Sequence, residues 1–129
     1  MARATLRQKI RGVVCGDALA IERTISGVPA GLTITKAWLT IKATITDLDA
    51  DALLQLTVTS VLASTGQITD TGASGVAVVR FTLSGAQTLL VPPEASYPFD
   101  VQVQTSDGAL YTACKGTIRL EQQVTIATT

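Results

Sequence analysis

The sequence predicts an all-β fold: a two-sheet antiparallel sandwich of immunoglobulin-like type, with about seven or eight strands and one short helical connection. Three observations predict it. The apolar residues are mainly Val, Ile, Leu and Ala among abundant Thr, with aromatics only 4% of the chain. β-branched side chains favour pleated, half-buried surfaces. Two stretches, Ile34–Thr46 and Tyr97–Gln104, alternate apolar and polar residues with period two, as strands with one buried face do. Gly, Pro, Asp and Ser breakers punctuate the chain at strand-sized intervals, and no helical runs alternate with the strands, which argues against a parallel α/β sheet.

In chain order, residues 1–8 read as a short helix or an extended arm, and Lys9–Cys15 as a first strand broken by Gly16-Asp17. Leu19, Ile21 and Ile25 give a second strand, with Glu22 and Thr24 facing out; Ser26–Gly31 is a loop. In Ile34–Thr46, Ala37, Leu39, Ile41, Ala43 and Ile45 share one face, and Lys36, Trp38, Thr40, Lys42, Thr44 and Thr46 the other. Thr46–Ala52 reads as a turn or a single acid-capped helical turn. Leu54, Leu56 and Val58 form a strand, residues 63–75 a polar, glycine-rich loop, and Val76–Leu83 a strand with Val79, Phe81 and Leu83 on one face. Ser84 with Gln87 has the form of a capping box, opening a short helix that Pro92-Pro93 ends.

The last two strands are organised by Ser106-Asp107-Gly108. An Asp-Gly pair between alternating runs signals a hairpin, read here as a tight primed turn with Gly108 at positive φ. Tyr97, Phe99, Val101 and Val103 face inward on one strand, and Leu110, Cys114 and Ile118 on its return. The expected core therefore includes Leu39, Ile41, Ile45, Val79, Phe81, Phe99, Val101 and Val103.

The length of 129 residues fits one domain with a real core. Net charge is zero, so global charge favours neither nucleic acid nor membrane, and no run approaches the roughly 18 apolar residues of a membrane span. The N-terminus is basic but lacks the apolar core of a signal peptide. Charge is unevenly placed. Arg3, Arg7, Lys9 and Arg11 stand in the first eleven residues with no acid, leaving six basic against ten acidic residues in the rest. A basic arm, residues 1–11, thus precedes a net-negative sandwich domain, residues 12–129. The arm reads either as a solvated tail or as a segment that docks on a partner or a neighbouring acidic body, with Arg3, Arg7, Lys9 and Arg11 as the interface candidates. Trp38 on the polar face either tucks under a loop or over the sheet edge, or is a further interface candidate, because Trp is enriched at interface hot spots.

Reaction chemistry is sparse. The sequence has no histidine, no CxxC, no phosphate-binding glycine loop and no nucleophile motif. Asp47, Asp49 and Asp51 resemble the opening of a calcium loop, but Ala52 and Val58 stand where the glycine and the closing acid belong. No catalytic residue, metal site or cofactor is expected. Cys15 and Cys114 are expected to be unbridged, small apolar residues.

The order of segments resembles a family of small β-sandwich proteins from tailed bacteriophages, similar to the N-terminal, virion-attaching domain of the siphophage baseplate upper protein. The resemblance runs over roughly residues 12–126. It is carried by Gly16-Asp17, Thr35–Lys42, Asp49–Gln55, Val79–Leu83, Ala86-Gln87-Thr88, Tyr97–Val103 with Ser106-Asp107-Gly108, Gly116-Thr117-Ile118 and Val124-Thr125. It implies a non-enzymatic virion structural protein, made in the bacterial host cytoplasm and assembled with other virion proteins as a homo-oligomer or symmetric array, without nucleic acid or membrane as partner. Baseplate proteins of that kind carry a fibre or receptor-binding region after this domain, and this chain stops. A tail, baseplate or connector adaptor is the first expectation. Capsid decoration or a head fibre is the alternative, and a carbohydrate-binding attachment module, drawing on Trp38, Tyr97 and Tyr111, is a further one.

Overall fold

The computed structural model describes residues 6–124, with side chains from Lys9 onward. Eight strands lie in this span: β1 (Leu6–Val14), β2 (Leu19–Ser26), β3 (Ile34–Ile41), β4 (Leu54–Val58), β5 (Gly66–Thr71), β6 (Val76–Leu83), β7 (Ser96–Thr105) and β8 (Leu110–Glu121). A single 3-10 turn occupies Asp49–Asp51 and one short helix, α1, Gly85–Thr88. The strands form two sheets, one of five in the order β1-β8-β7-β3-β4 and one of three in the order β2-β6-β5. Taken in chain order as A, B, C, C′, D, E, F and G, they reproduce the immunoglobulin arrangement, with B, E and D in one sheet and G, F, C and C′ in the other. The first strand sits beside G. That pair, β1–β8, is parallel, so the sandwich is not antiparallel throughout. The boundary drawn between an arm ending at residue 11 and a domain starting at 12 falls inside β1.

The core fills the space between the inner faces. Ile21, Ile25, Val79, Phe81 and Leu83 come from the small sheet; Leu39, Ile41, Phe99, Val101, Val103, Ile118 and Leu120 come from the large one, all buried. Register follows the alternation: Leu39 lies opposite Val101 and Ile41 opposite Phe99. A slip of one residue would turn every one of these side chains to solvent.

Ile45 is a correction. It is 67% exposed, because β3 ends at Ile41. Lys42 N still donates to Pro98 O, but the chain then turns on Asp47, whose carboxylate accepts from Thr44 N at 3.1 Å and from the Thr44 hydroxyl at 2.8 Å. Short polar side chains offer the backbone a local alternative to the ladder, and here they end it four residues before the apolar pattern stops at Ile45.

Residues 63–75 are not simply a loop, since β5 runs through them and pairs with β6. Only Ile68 carries a large apolar side chain inward there, too little to register as a pattern. Gly66, at φ 127°, lets the backbone close on β6: a Cβ would lie 2.0 Å from Arg80 O.

The β7–β8 hairpin forms, with a different turn and a shifted face. Gly108 has φ 88°, but Ser106 and Asp107 do not share the positive φ of a primed turn. Gly108 N donates to Thr105 O and Thr105 N to Ala109 O, the pattern of a longer turn closed by a left-handed glycine. The Asp107 carboxylate accepts from the Thr105 hydroxyl and from Ala109 N. Further along, Val101 pairs with Cys114 and Gln102 with Thr112, so Ala113 is an extra residue in β8. This bulge buries Ala113 beside Cys114 and reverses the alternation beyond it. Tyr111 therefore packs on the core, and Leu110, expected inside, is 54% exposed.

Helix α1 is built as the sequence indicates. The Ser84 hydroxyl accepts from Gln87 N, and Gln87 Oε1 accepts from Ser84 N. Its buried Thr88 ties it to the β1–β2 corner: the Thr88 hydroxyl accepts from Gly16 N and donates to Asp17 O, both at 2.9 Å.

Cys15 and Cys114 are both free and buried. Cys15 N bonds to Glu121 O, whereas Cys114 lies opposite Leu6. Seven strand steps of about 3.3 Å therefore separate them by roughly 23 Å, beyond any disulfide.

Candidate functional site

The outer face of the five-stranded sheet carries a groove of about 550 Å³. Its position follows from the sheet order. Where Ala37, Leu39 and Ile41 point inward from β3, Trp38 and Thr40 point outward, followed by Lys42 just past the strand end. On β7, Pro98, Asp100 and Gln102 alternate outward with Phe99, Val101 and Val103 inward. Lys115 and Thr117 lie opposite Asp100 and Pro98 on β8, and Lys9 lies opposite Thr117 on β1. The groove thus spans four strands, with Lys9 on one rim, Lys42 and Ile45 on the other, and Thr40, Pro98, Asp100, Lys115 and Thr117 between.

The far wall is held by an ion pair. Lys42 Nζ lies 2.8 Å from Asp49 Oδ1 and donates to Asp47 O at 2.8 Å, drawing the segment after β3 over the sheet edge. The hydrogen bond from Lys42 keeps the Asp49 carboxyl below its ordinary range, and the Thr44 hydroxyl does the same for Asp47. Asp100, half-buried on the floor, moves the other way. Loss of water pushes its carboxyl up, opposed by the charges of Lys42 and Lys115 and reinforced by that of Asp49. Thr40 beside it is buried and accepts from Gln55 Nε2 at 3.1 Å. Lys9 and Lys115 form no ion pair among the described residues. The groove gathers ammonium groups and hydroxyls around a floor that holds the Asp100 carboxylate, so anionic groups can bind at the lysines and hydrogen-bond donors at Asp100.

Of the expected interface residues, Arg3 lies outside the described residues. Arg7 is described by its backbone alone, opposite Lys115 in the β1–β8 register. Lys9 is on the groove rim. Arg11 is separate, beside Gly12, Arg119 and Glu121 in a second, smaller depression. Trp38 is on the same outer face as the groove, paired with Gln102 and Thr57, but does not line it. Sequence reasoning missed Lys42, Lys115, Asp100, Thr40 and Thr117. Their signal was faint but present: each holds a polar position in an alternating run, and only the sheet order shows that these positions are neighbours.

Arg119 pairs with Glu94 at 2.6 Å, and Glu94 Oε1 accepts from Gln122 N, a bond that lowers its carboxyl. Glu94 has φ 62°, held there by these bonds and by its own N–H to Leu120 O. Among the described residues no three His, Cys, Asp or Glu side chains are grouped as a metal site would require, and no helix is long and apolar enough to cross a membrane. No protein-family model and no curated protein sequence matches the chain.

Proposed function

We propose that this chain is a non-enzymatic structural subunit of a bacteriophage virion, an adaptor in the tail, baseplate or connector that docks other virion proteins through its basic N-terminal strand. The observation that carries the reading is the placement of β1. The segment bearing Arg7, Lys9 and Arg11 forms an edge of the large sheet among the described residues, with Lys9 at the rim of an exposed groove. Exposed sheet edges accept strands from neighbours, and opposite charge on one chain favours head-to-tail contact between copies. The sandwich itself accords with the resemblance in segment order.

The carbohydrate-binding alternative is less well supported. Sugar sites stack on surface aromatics, whereas Tyr97 and Tyr111 pack on the core and leave Trp38 without an aromatic companion on its face. Head decoration differs from a tail adaptor in location, not in chemistry.

Charge reversal tests the reading more cleanly than truncation, because deleting residues 2–8 would shorten β1. The variant Arg3→Glu/Arg7→Glu should fold as the parent does and be depleted from purified particles, measured by quantitative mass spectrometry. Incorporation at parental occupancy would show that the N-terminal segment is not the attachment device.

A further inference from the structure

The lysine-rimmed groove has a charge arrangement that the fold does not itself require. Lys9, Lys42 and Lys115 come from different parts of the chain and meet around a half-buried aspartate. Only Lys42 has an ion-pair partner among the described residues, and that pair builds the wall. The remaining two ammonium groups, of Lys9 and Lys115, line the groove. Asp100, opposite Lys115 in register, balances one of these charges, and Asp49 balances Lys42, which leaves the groove a small positive excess for a bound group of opposite sign.

The groove is also shaped. From β1 to β3 is three strand spacings, about 14 Å, enough for one extended chain with its side chains. Ile45, exposed on the rim, and Pro98 on the floor give an apolar seat between the lysines. Asp100 in the middle repels a carboxylate there but accepts a donor such as a backbone N–H.

We infer that the groove binds an extended acidic segment of a neighbouring protein, with two carboxylates at Lys9 and Lys115 and an apolar side chain against Ile45 and Pro98. The inference deepens the structural-subunit reading and rests on it for the identity of the neighbour. Nucleic acid fits less well. A continuous run of phosphates would meet the Asp100 carboxylate on the floor, and no aromatic side chain lies among the groove's exposed residues to stack on bases.

The test is a fluorescence-polarisation titration of the full chain at low salt with a labelled Gly-Glu-Leu-Glu-Gly peptide, its Gln-for-Glu counterpart and a single-stranded oligonucleotide. Binding of the acidic peptide should exceed that of the neutral one and weaken about tenfold in Lys9→Gln/Lys115→Gln. Arg80→Gln, on the exposed face of the other sheet, should leave it unchanged. Both variants should keep the parental melting temperature. The inference is overturned if the acidic peptide does not bind, if the double variant binds it as the parent does, if Arg80→Gln weakens it equally, or if the oligonucleotide binds more tightly and with the same lysine dependence. The particle assay reports on the subunit reading alone. A chain absent from particles that still binds the peptide through Lys9 and Lys115 would refute that reading and leave the groove standing.

Discussion

Lys42 Nζ sits 2.8 Å from Asp49 Oδ1 across the connection from β3 to β4, and this pair fixes one wall of the groove. Asp49 is two-thirds exposed, so the pair contributes modestly. Lys42→Met should lower stability by about 1 kcal/mol or less in urea titrations. The difference should shrink in high salt, because screening weakens the parental pair. Limited proteolysis between residues 43 and 48 should become faster, as that segment loses its tether.

Asp100 should make stability depend on pH in the opposite sense to most carboxylates. Its carboxyl is raised chiefly by burial, so the folded protein holds the proton more tightly than the unfolded chain. Its contribution is therefore full below the ordinary aspartate range, near pH 4, and is lost as pH rises through the raised folded value. Asp100→Asn should be more stable than the parent at pH 7, and the gain should vanish below about pH 4. Melting curves across that range would reveal the crossover, and a variant less stable at pH 7 would mean that the nearby lysines outweigh desolvation.

Thr88 is fully buried and joins α1 to the turn after β1. Thr88→Val keeps the shape but strands Gly16 N and Asp17 O, which should cost about 1–3 kcal/mol. Thr88→Ser retains the hydroxyl and should cost less. Equal losses in chemical denaturation would assign the site's importance to packing alone.

Phe99 and Ile45 lay on one expected core, and the structure separates them. Phe99 is 4% exposed and Ile45 67%. Phe99→Ala should cost about 3–5 kcal/mol and Ile45→Ala less than about 0.5 kcal/mol. Comparable losses would return the end of β3 to the core.

Those two residues also show what could be read in advance. Period-two alternation placed Leu39, Ile41, Val79, Phe81, Phe99, Val101 and Val103 correctly, because one buried face per strand is a local property of sequence. The Ser84–Gln87 capping box was legible for the same reason. What escaped depends on partners elsewhere. Ile45 continues the pattern, but the Thr44–Asp47 bonds end the strand. Ala113 becomes a bulge only against β7, which turns Leu110 out and Tyr111 in. Gly66 reads as a loop residue until β6 lies against it. The groove was hidden more completely. Lys9, Lys42 and Lys115 are far apart in the chain and meet only through the order β1-β8-β7-β3, which includes a parallel pairing that no local pattern announces.

The most direct test of the proposed subunit role is cryo-electron microscopy of phage particles purified from cells that express the chain. The account predicts an eight-stranded sandwich repeated under the particle's symmetry, with the β1 edge, Leu6–Val14, in contact with a neighbouring subunit. Particles lacking the sandwich, or a sandwich whose β1 edge and lysine groove both face open solvent, would contradict it.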